Sequence, residues 1–566
     1  MSMFRRYFPH LLTLLVLTFF LFFFFLPVWQ VVKGGLRDAD GHVTLFYLKE
    51  VFRNPVYLQG LRNSLMIAVC TTLLSLVIAL PLAWLSDRYE FAGKKVLTGA
   101  LLLPMILAPF VGALGMQCIF GKYGAVNTIL EHLHLVAPGE GIDWFAGGFF
   151  AVVVLEALHL FPILYLNIVA SFANVDPMLL EAAADLGCTG FTRFRKISLP
   201  LIMPGIFAGA SLVFIWSFTE LGTPVMFSYG RCTSAQIFDG LNEIGRNPMP
   251  YALVTVVMAI SVLMYGLSKF LFGRGGNAML SKAGRATGQT RLHGLPQVCV
   301  VLLFSLAVFI CILPHIGVIG LAFWESWYHT ALPVRFTLDH VNSALSNNLT
   351  VPSIINSLRY AFFAVLIALV LGIASAITIV RGKHSLRWLL DTLIMLPLAV
   401  PGLVLAFGYL SMGQKGELFY CFDPVRNPTI LLVIAYAVRR LPYVVRSTVA
   451  GLQQTSVSYE EAGASLGAGP MTIFRRITLP LITANVIAGG ILAFSFSMLE
   501  VSDSLILAQK AVFYPITKAI YALQSFLGEG VHLASALGVW TMFFLGASML
   551  TASAILGKKL GALFRG

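Results

Sequence analysis

Ionisable side chains stand inside stretches that are otherwise apolar enough to cross a membrane. Arg439-Arg440 interrupt TILLVIAYAVRRLPYVVRS, Glu156 and His159 sit in LEALHLF, Glu220 in SFTELGTP, and Glu500 with Asp503 in SMLEVSDS. A charge in hydrocarbon is costly, so such residues face a bundle interior or a wet path and mark solute contacts or ion pairs. If the arginine span starts near Pro428, the pair lies about eleven residues in, roughly 17 Å deep and near the midplane. There it either meets a carboxylate or another anion in a translocation path, or pairs internally to hold two helices together. Neighbouring helical residues point about 100° apart, so one arginine can face the path and the other a partner. Glu156 is the expected partner, facing the arginines across a pseudo-two-fold axis. His159 reads as a satisfied residue of the bundle. Glu220 and Glu500 fall late in corresponding spans, where they line an outer gate or cap a helix end. Acids suit a cation and arginines an anion, so these residues leave the solute open.

Catalysis by this chain is not expected. There is no GxxxxGK[ST] phosphate loop and no CxxC or Cys/His cluster among the seven cysteines, so neither metal nor disulfide framework is expected. The chain of 566 residues is 58% hydrophobic and 11% charged, against about 25% charged in soluble domains. That composition describes a polytopic membrane protein. The net charge of +13 reflects Lys and Arg gathered in cytosolic loops rather than a nucleic-acid partner.

A spanning helix needs roughly 20 apolar residues. Twelve candidates meet this, near 10–33, 61–86, 97–118, 148–171, 201–223 and 251–273, then 296–322, 354–380, 389–412, 428–451, 481–507 and 534–557. The first reads as a retained signal anchor. Basic loops alternate with loops holding Asp38, Asp40, Glu131, Glu140, Asp143, Asp239, Glu243 and Asp423. Both termini are therefore expected on the cytosolic side.

The two halves repeat. Glu181 to Ile202 reads EAAADLGCTGFTRFRKISLPLI and Glu461 to Ile482 reads EAGASLGAGPMTIFRRITLPLI, matching at 13 of 22 positions with an offset of 280. Earlier matches, such as Asn63 with Asn356 and Arg88 with Arg381, share an offset of 293. Six spans per half make the repeat parallel. Residues 1–273 form one half and 295–566 the other. Between them 274–294, Gly-rich and basic, reads as a flexible cytosolic linker. In each repeated loop (172–200 and 452–480) helix formers are followed by a glycine able to take positive φ, Gly187 or Gly467, and then by a basic stretch ending in Leu-Pro. The expected product is a stiff elbow: a short helix along the inner face, turned onto the next span.

These residues resemble the EAA motif of ABC importer permeases: Glu181, Ala182, Ala183, Gly187, Leu199 and Pro200 in one copy, and Glu461, Ala462, Gly467, Leu479 and Pro480 in the other. The second copy departs at Gly463, where the first has Ala183. The chain looks most like fused, double-length permeases of the group handling ferric iron, 2-aminoethylphosphonate or thiamine. The resemblance implies an all-α polytopic fold of about twelve transmembrane helices in two parallel six-helix halves, of the type I importer permease kind. It implies that each loop docks on one of two copies of a cytosolic ABC ATPase, which carries ATP and Mg, and that a periplasmic or lipid-anchored solute-binding protein meets the outer surface. No cofactor is expected in this chain, and the bacterial inner membrane is its expected location. A twelve-helix secondary transporter shares the span count; the paired elbows separate the two readings.

Overall fold

The computed structural model describes residues 12–38, 40–106, 108–145, 147–272, 289–382 and 387–556. The first half holds α1 (Leu12–Gly35), α2 (Pro55–Arg88), α3 (Pro109–Phe120), α4 (Phe149–Ala173), α5 (Leu199–Thr219) and α6 (Met249–Phe272). The second holds α7 (Gly294–Phe323), α8 (Thr350–Arg381), α9 (Gly402–Met412), α10 (Thr429–Gln454), α11 (Leu479–Met498) and α12 (Gly530–Leu556).

Among the described residues nine straight helices are long and apolar enough to span, and two bent pairs bring the number to eleven. The twelfth expected span is α10, which carries Arg439, Arg440 and Arg446. The bent pairs correct the reading of 97–118 and 389–412 as straight spans. A half-helix Arg387–Ala399 turns by 94° onto α9, because Pro401 supplies no backbone N–H to carry the helix on. Its counterpart breaks ahead of Pro109. The eleventh span also ends sooner than expected, at Met498, with a separate short helix Ser502–Leu507 beyond it.

The halves interlock through their first helices. α1 packs on α9 of the second half, and α7 packs on α3 of the first. Both crossings use a glycine against a proline carbonyl. A Cβ on Gly408 would lie 2.6 Å from the carbonyl oxygen of Pro27, and one on Gly115 would strike that of Pro314. Small residues let helix backbones approach in this way. A Cβ on Gly317 would lie 2.5 Å from Gly115 Cα, with no flexible side chain to give way. Gly317→Ile is accordingly expected to cost about 3 kcal/mol from overpacking, read as a lower melting temperature in detergent. Unchanged melting would refute the crossing.

Residues 273–288 of the linker and both chain ends lie outside the described residues, and with them the expected placement of the termini. The linker's last residues are held in place. Thr290–Arg291 pair in parallel with Tyr89–Glu90. Gln289 donates to the Asp87 carbonyl at 3.0 Å and accepts from Lys94 Nζ at 2.9 Å. The flexible reading therefore does not extend to this end of the linker.

Candidate functional site

The two central helices, α4 and α10, each carry an internal proline, Pro162 and Pro442, 280 residues apart. A proline within a helix interrupts the backbone ladder and bends it. Next to these bends the helices present His159 and Arg439, at equivalent positions, to a cavity of about 120 Å³ between the halves. One wall comes from the first half, with Glu156, His159, Trp216 and Glu220; the other comes from the second, with Arg439, Arg440, Phe496 and Glu500.

The second-half wall is internally neutral. Arg439 donates to Glu500 and, at 3.4 Å, to Asp503; Arg440 donates to the other oxygen of Glu500 and, at 3.0 Å, to the Phe496 carbonyl. The Arg440 guanidinium also lies over the Phe496 ring, 5.6 Å from its centroid. Gly402 leaves room for this arrangement, since a Cβ there would meet the Arg439 guanidinium. Both arginines therefore have carboxylate partners within their own half. This corrects the expected pairing with Glu156.

Glu156 takes a different partner. Its Oε2 accepts the Ser217 hydroxyl from α5, while its buried Oε1 has no partner among the described residues. Glu220 follows the last residue of α5 and turns its Oε1 onto the Gly222 N–H at 3.1 Å. His159 Nδ1 lies 2.9 Å from the Pro104 carbonyl, so it is tied to the bent half-helix ahead of α3. All seven intramembrane residues singled out in the sequence thus fall in or against one site: six line the cavity, and Asp503 backs it through Arg439.

One residue at this site escaped sequence reasoning. Lys518 is buried, with Nζ donating to the Leu505 carbonyl at 3.0 Å and lying 5.6–5.7 Å from the ring centroids of Phe238, Tyr514 and Tyr521. Phe238 comes from the first half and packs edge-on against Tyr521, its ring centroid 6.2 Å away, so the two halves meet here. The neighbouring Thr517 hydroxyl donates to the Glu500 carbonyl at 2.7 Å. This cation–aromatic cluster therefore adjoins the cavity at the end of α11 away from the elbows.

The elbows take their expected form with one change. Helix Pro177–Asp185 starts at Asp176, whose carboxylate caps the Met178 N–H at 2.9 Å. It ends at Gly187 with φ +76°, where Gly187 N donates to Ala184 O at 2.9 Å and Cys188 N to Ala183 O at 2.9 Å. The second copy repeats this at Gly467, with φ +82° and bonds to Ala464 and Gly463 of 3.0 and 3.1 Å. These paired bonds are the Schellman closure that a left-handed residue permits. Glu181, Ala182, Glu461 and Ala462 are exposed, and Ala183 is buried. The turn comes at the glycine, as expected; the change is that the next helix begins ahead of Leu199-Pro200 and Leu479-Pro480. From Gly190 and from Pro470 a single continuous helix enters each span. Phe194–Ser198 and Phe474–Thr478 form wide π-type turns just ahead of Leu199-Pro200 and Leu479-Pro480. Such a turn suits the approach to a proline that cannot donate.

The Gly463 departure has a packing cause. A Cβ there would lie 2.6 Å from Ile477 Cδ1 and 3.4 Å from Ile473 Cγ1, and Ile473 stands where the first copy has Arg193. The anchoring differs too. Arg381 Nε bridges to Glu460 at 3.2 Å and its Nη2 donates to the Leu452 and Thr455 carbonyls at 3.1 Å. The first elbow is instead held by Phe194, edge-on to Trp84 at 5.8 Å, and by Arg193 donating to the Leu180 carbonyl. Leu186 and Leu466 stand out at equivalent positions, 88% and 90% exposed.

The duplicated elbows and the two-walled cavity find their explanation in the comparisons. The model of the family "Binding-protein-dependent transport system inner membrane component" matches twice, over residues 57–275 and 368–560. The chain belongs to this family. It is 27% identical to the Fe(3+)-transport system permease protein FbpB 2 of Haemophilus influenzae, over 82% of this chain and 84% of that protein. It is 24% identical to the ferric transport system permease protein FbpB of Actinobacillus pleuropneumoniae, over 81% of this chain and 64% of that one. The spermidine/putrescine permease PotB of Haemophilus influenzae is similar at 26% identity, 98% of it matching only 48% of this chain. A whole single-length permease thus corresponds to one half, as expected of a fused duplicate. The chain is a multi-pass permease subunit of an ABC importer, and membership implies an ATPase and a substrate-binding protein as partners.

Proposed function

We propose that this permease carries ferric iron across the bacterial inner membrane. In this reading two copies of a cytosolic ATPase, holding ATP and Mg, engage the two elbows, and both chain termini face the cytosol. A solute-binding protein delivers the iron from outside. Closing the ATPase dimer draws the elbows together; each pushes on the helix continuous with it, α5 or α11, and both helices end at the cavity. The halves then swing between outward- and inward-facing states, an equilibrium biased by nucleotide. ATP hydrolysis takes place on the partner subunits.

The observation that carries the choice of solute is the charge of the cavity. Arg439 and Arg440 are matched by Glu500 and Asp503, which leaves Glu156 and Glu220 as surplus acids. The ferric relatives point the same way. The sequence pitted arginines against acids as signals for opposite solutes; the pairing removes the arginines' claim on an anion such as a phosphonate. The test is ATP-dependent uptake of radioactive iron by vesicles holding the permease, its ATPase and its binding protein, with aminoethylphosphonate, thiamine and spermidine as competitors. Iron uptake unaffected by these competitors is expected. Uptake of any competitor in place of iron would overturn the assignment.

A further inference from the structure

The first-half wall holds two acids that no cation balances. Glu156 is only 1% exposed. One of its oxygens accepts from Ser217 and the other, also buried, has no partner among the described residues. Glu220 meets only backbone donors, the N–H groups of Gly222 and Thr223, among the described residues. Among the described residues neither acid has a Lys, Arg or His nitrogen within 4.0 Å. The arginines opposite are already taken. An ionised carboxylate in a dry interior costs several kcal/mol unless something of opposite charge joins it.

We propose that Glu156 and Glu220 form the intramembrane stopping site of the transported ion, a hard trivalent cation. This inference rests on the ferric reading and adds a location to it. Hard cations prefer oxygen ligands. The two carboxylates supply them, Ser217 orients one carboxylate, and water fills the remaining positions. The wall opposite is neutral within itself and its carboxylates are taken by Arg439 and Arg440, which confines the ion to the first-half side and keeps its hold weak. Weak binding is what passage requires, because a site on a path must release what it receives. A duplicated permease thus uses one half to bind and the other to brace.

Terbium(III), a luminescent hard trivalent ion, is the probe, and Trp216 in the cavity wall is its antenna. The permease–ATPase complex is placed in lipid nanodiscs carrying Asp38→Asn and Asp40→Asn, because Asp38, Asp40 and His42 bring possible ligand atoms within 4.8 Å of one another on an exposed loop. Saturable sensitised emission is expected, lost in Trp216→Phe and displaced by gallium(III). Glu156→Gln and Glu220→Gln should each weaken terbium binding at least 10-fold, and the exposed-acid control Glu140→Gln should leave it unchanged. Equal affinity in the wild type and the two glutamine variants, or no saturable signal, would overturn the site. If Glu156→Gln does not fold, as judged by its melting curve, Glu220→Gln and Glu220→Asp decide alone. Iron uptake separates the two ideas. No uptake by the wild type sinks the ferric reading, whereas normal uptake by both glutamine variants sinks the site and spares that reading.

Discussion

Replacing Leu186 and Leu466 together by aspartate should stop transport while leaving the fold intact. Each leucine is about nine-tenths exposed at the tip of an elbow, and surface changes of this kind shift stability by no more than about 0.5 kcal/mol. An exposed leucine beside a rigid turn is a natural anchor for a groove in a partner, and loss of a central apolar anchor costs about 2 kcal/mol of binding. Two such losses, with a charge added at each, predict a fall of roughly 1,000-fold in complex formation. Co-purification of the ATPase and ATP-driven uptake are the readouts, with the melting temperature as control. The single variants show whether the differently anchored elbows contribute equally: the second is braced by the Arg381–Glu460 ion pair, and the first by Phe194 against Trp84 and by Arg193 donating to the Leu180 carbonyl. Full uptake by the double variant would remove the elbows from the coupling mechanism.

Glu500→Ala is expected to be the most damaging single change in the membrane. It strips Arg439 and Arg440 of their shared carboxylate and leaves two buried guanidiniums with Asp503 alone. Breaking a buried pair from one side costs about 3–5 kcal/mol, a large part of a protein's whole stability. Low yield and early melting in detergent should follow. Replacing Arg439, Arg440, Glu500 and Asp503 together by apolar residues of similar volume should recover most of the loss, because the cluster is neutral as a unit. If Glu500→Ala melts like the wild type, the cluster does not brace α10 against α11.

The spans and elbows were legible because a helix repeats every 3.6 residues and because the chain says everything twice. The Gly187 and Gly467 turns followed from one requirement, a positive φ. The bends ahead of α3 and α9 were signalled by Pro109 and by Pro401-Gly402, yet long apolar runs hid them: hydropathy measures length in hydrocarbon, not direction. The partner of the arginines was misread for a related reason. Sequence gave the depths of Glu156 and Arg439 but not the angle at which each helix presents them. Glu500 lies 61 residues beyond Arg439, on the next span of the same half, where the break after Met498 turns its carboxylate inward. Lys518 went unnoticed because its segment is short and only the folded chain brings the rings of Phe238, Tyr514 and Tyr521 around it.

The crossed first helices carry a consequence for how the protein is made. Tyr409 of α9 donates its hydroxyl to the Phe23 carbonyl of α1 across 386 residues of chain. At about 5–20 residues per second, α1 leaves the ribosome roughly 20–80 s before its partner exists. Until then it has α6 of its own half to pack on, where Gly34 and Gly35 meet Tyr251 and Thr255, and the phenylalanines of LTFFLFFFFLPVW suit its open face to lipid. α7 has no such delay, since α3 is already in place when it emerges. Biogenesis therefore closes from the second half back onto the first, and a chain released early would leave its opening helix packed on α6 but without its contact to α9.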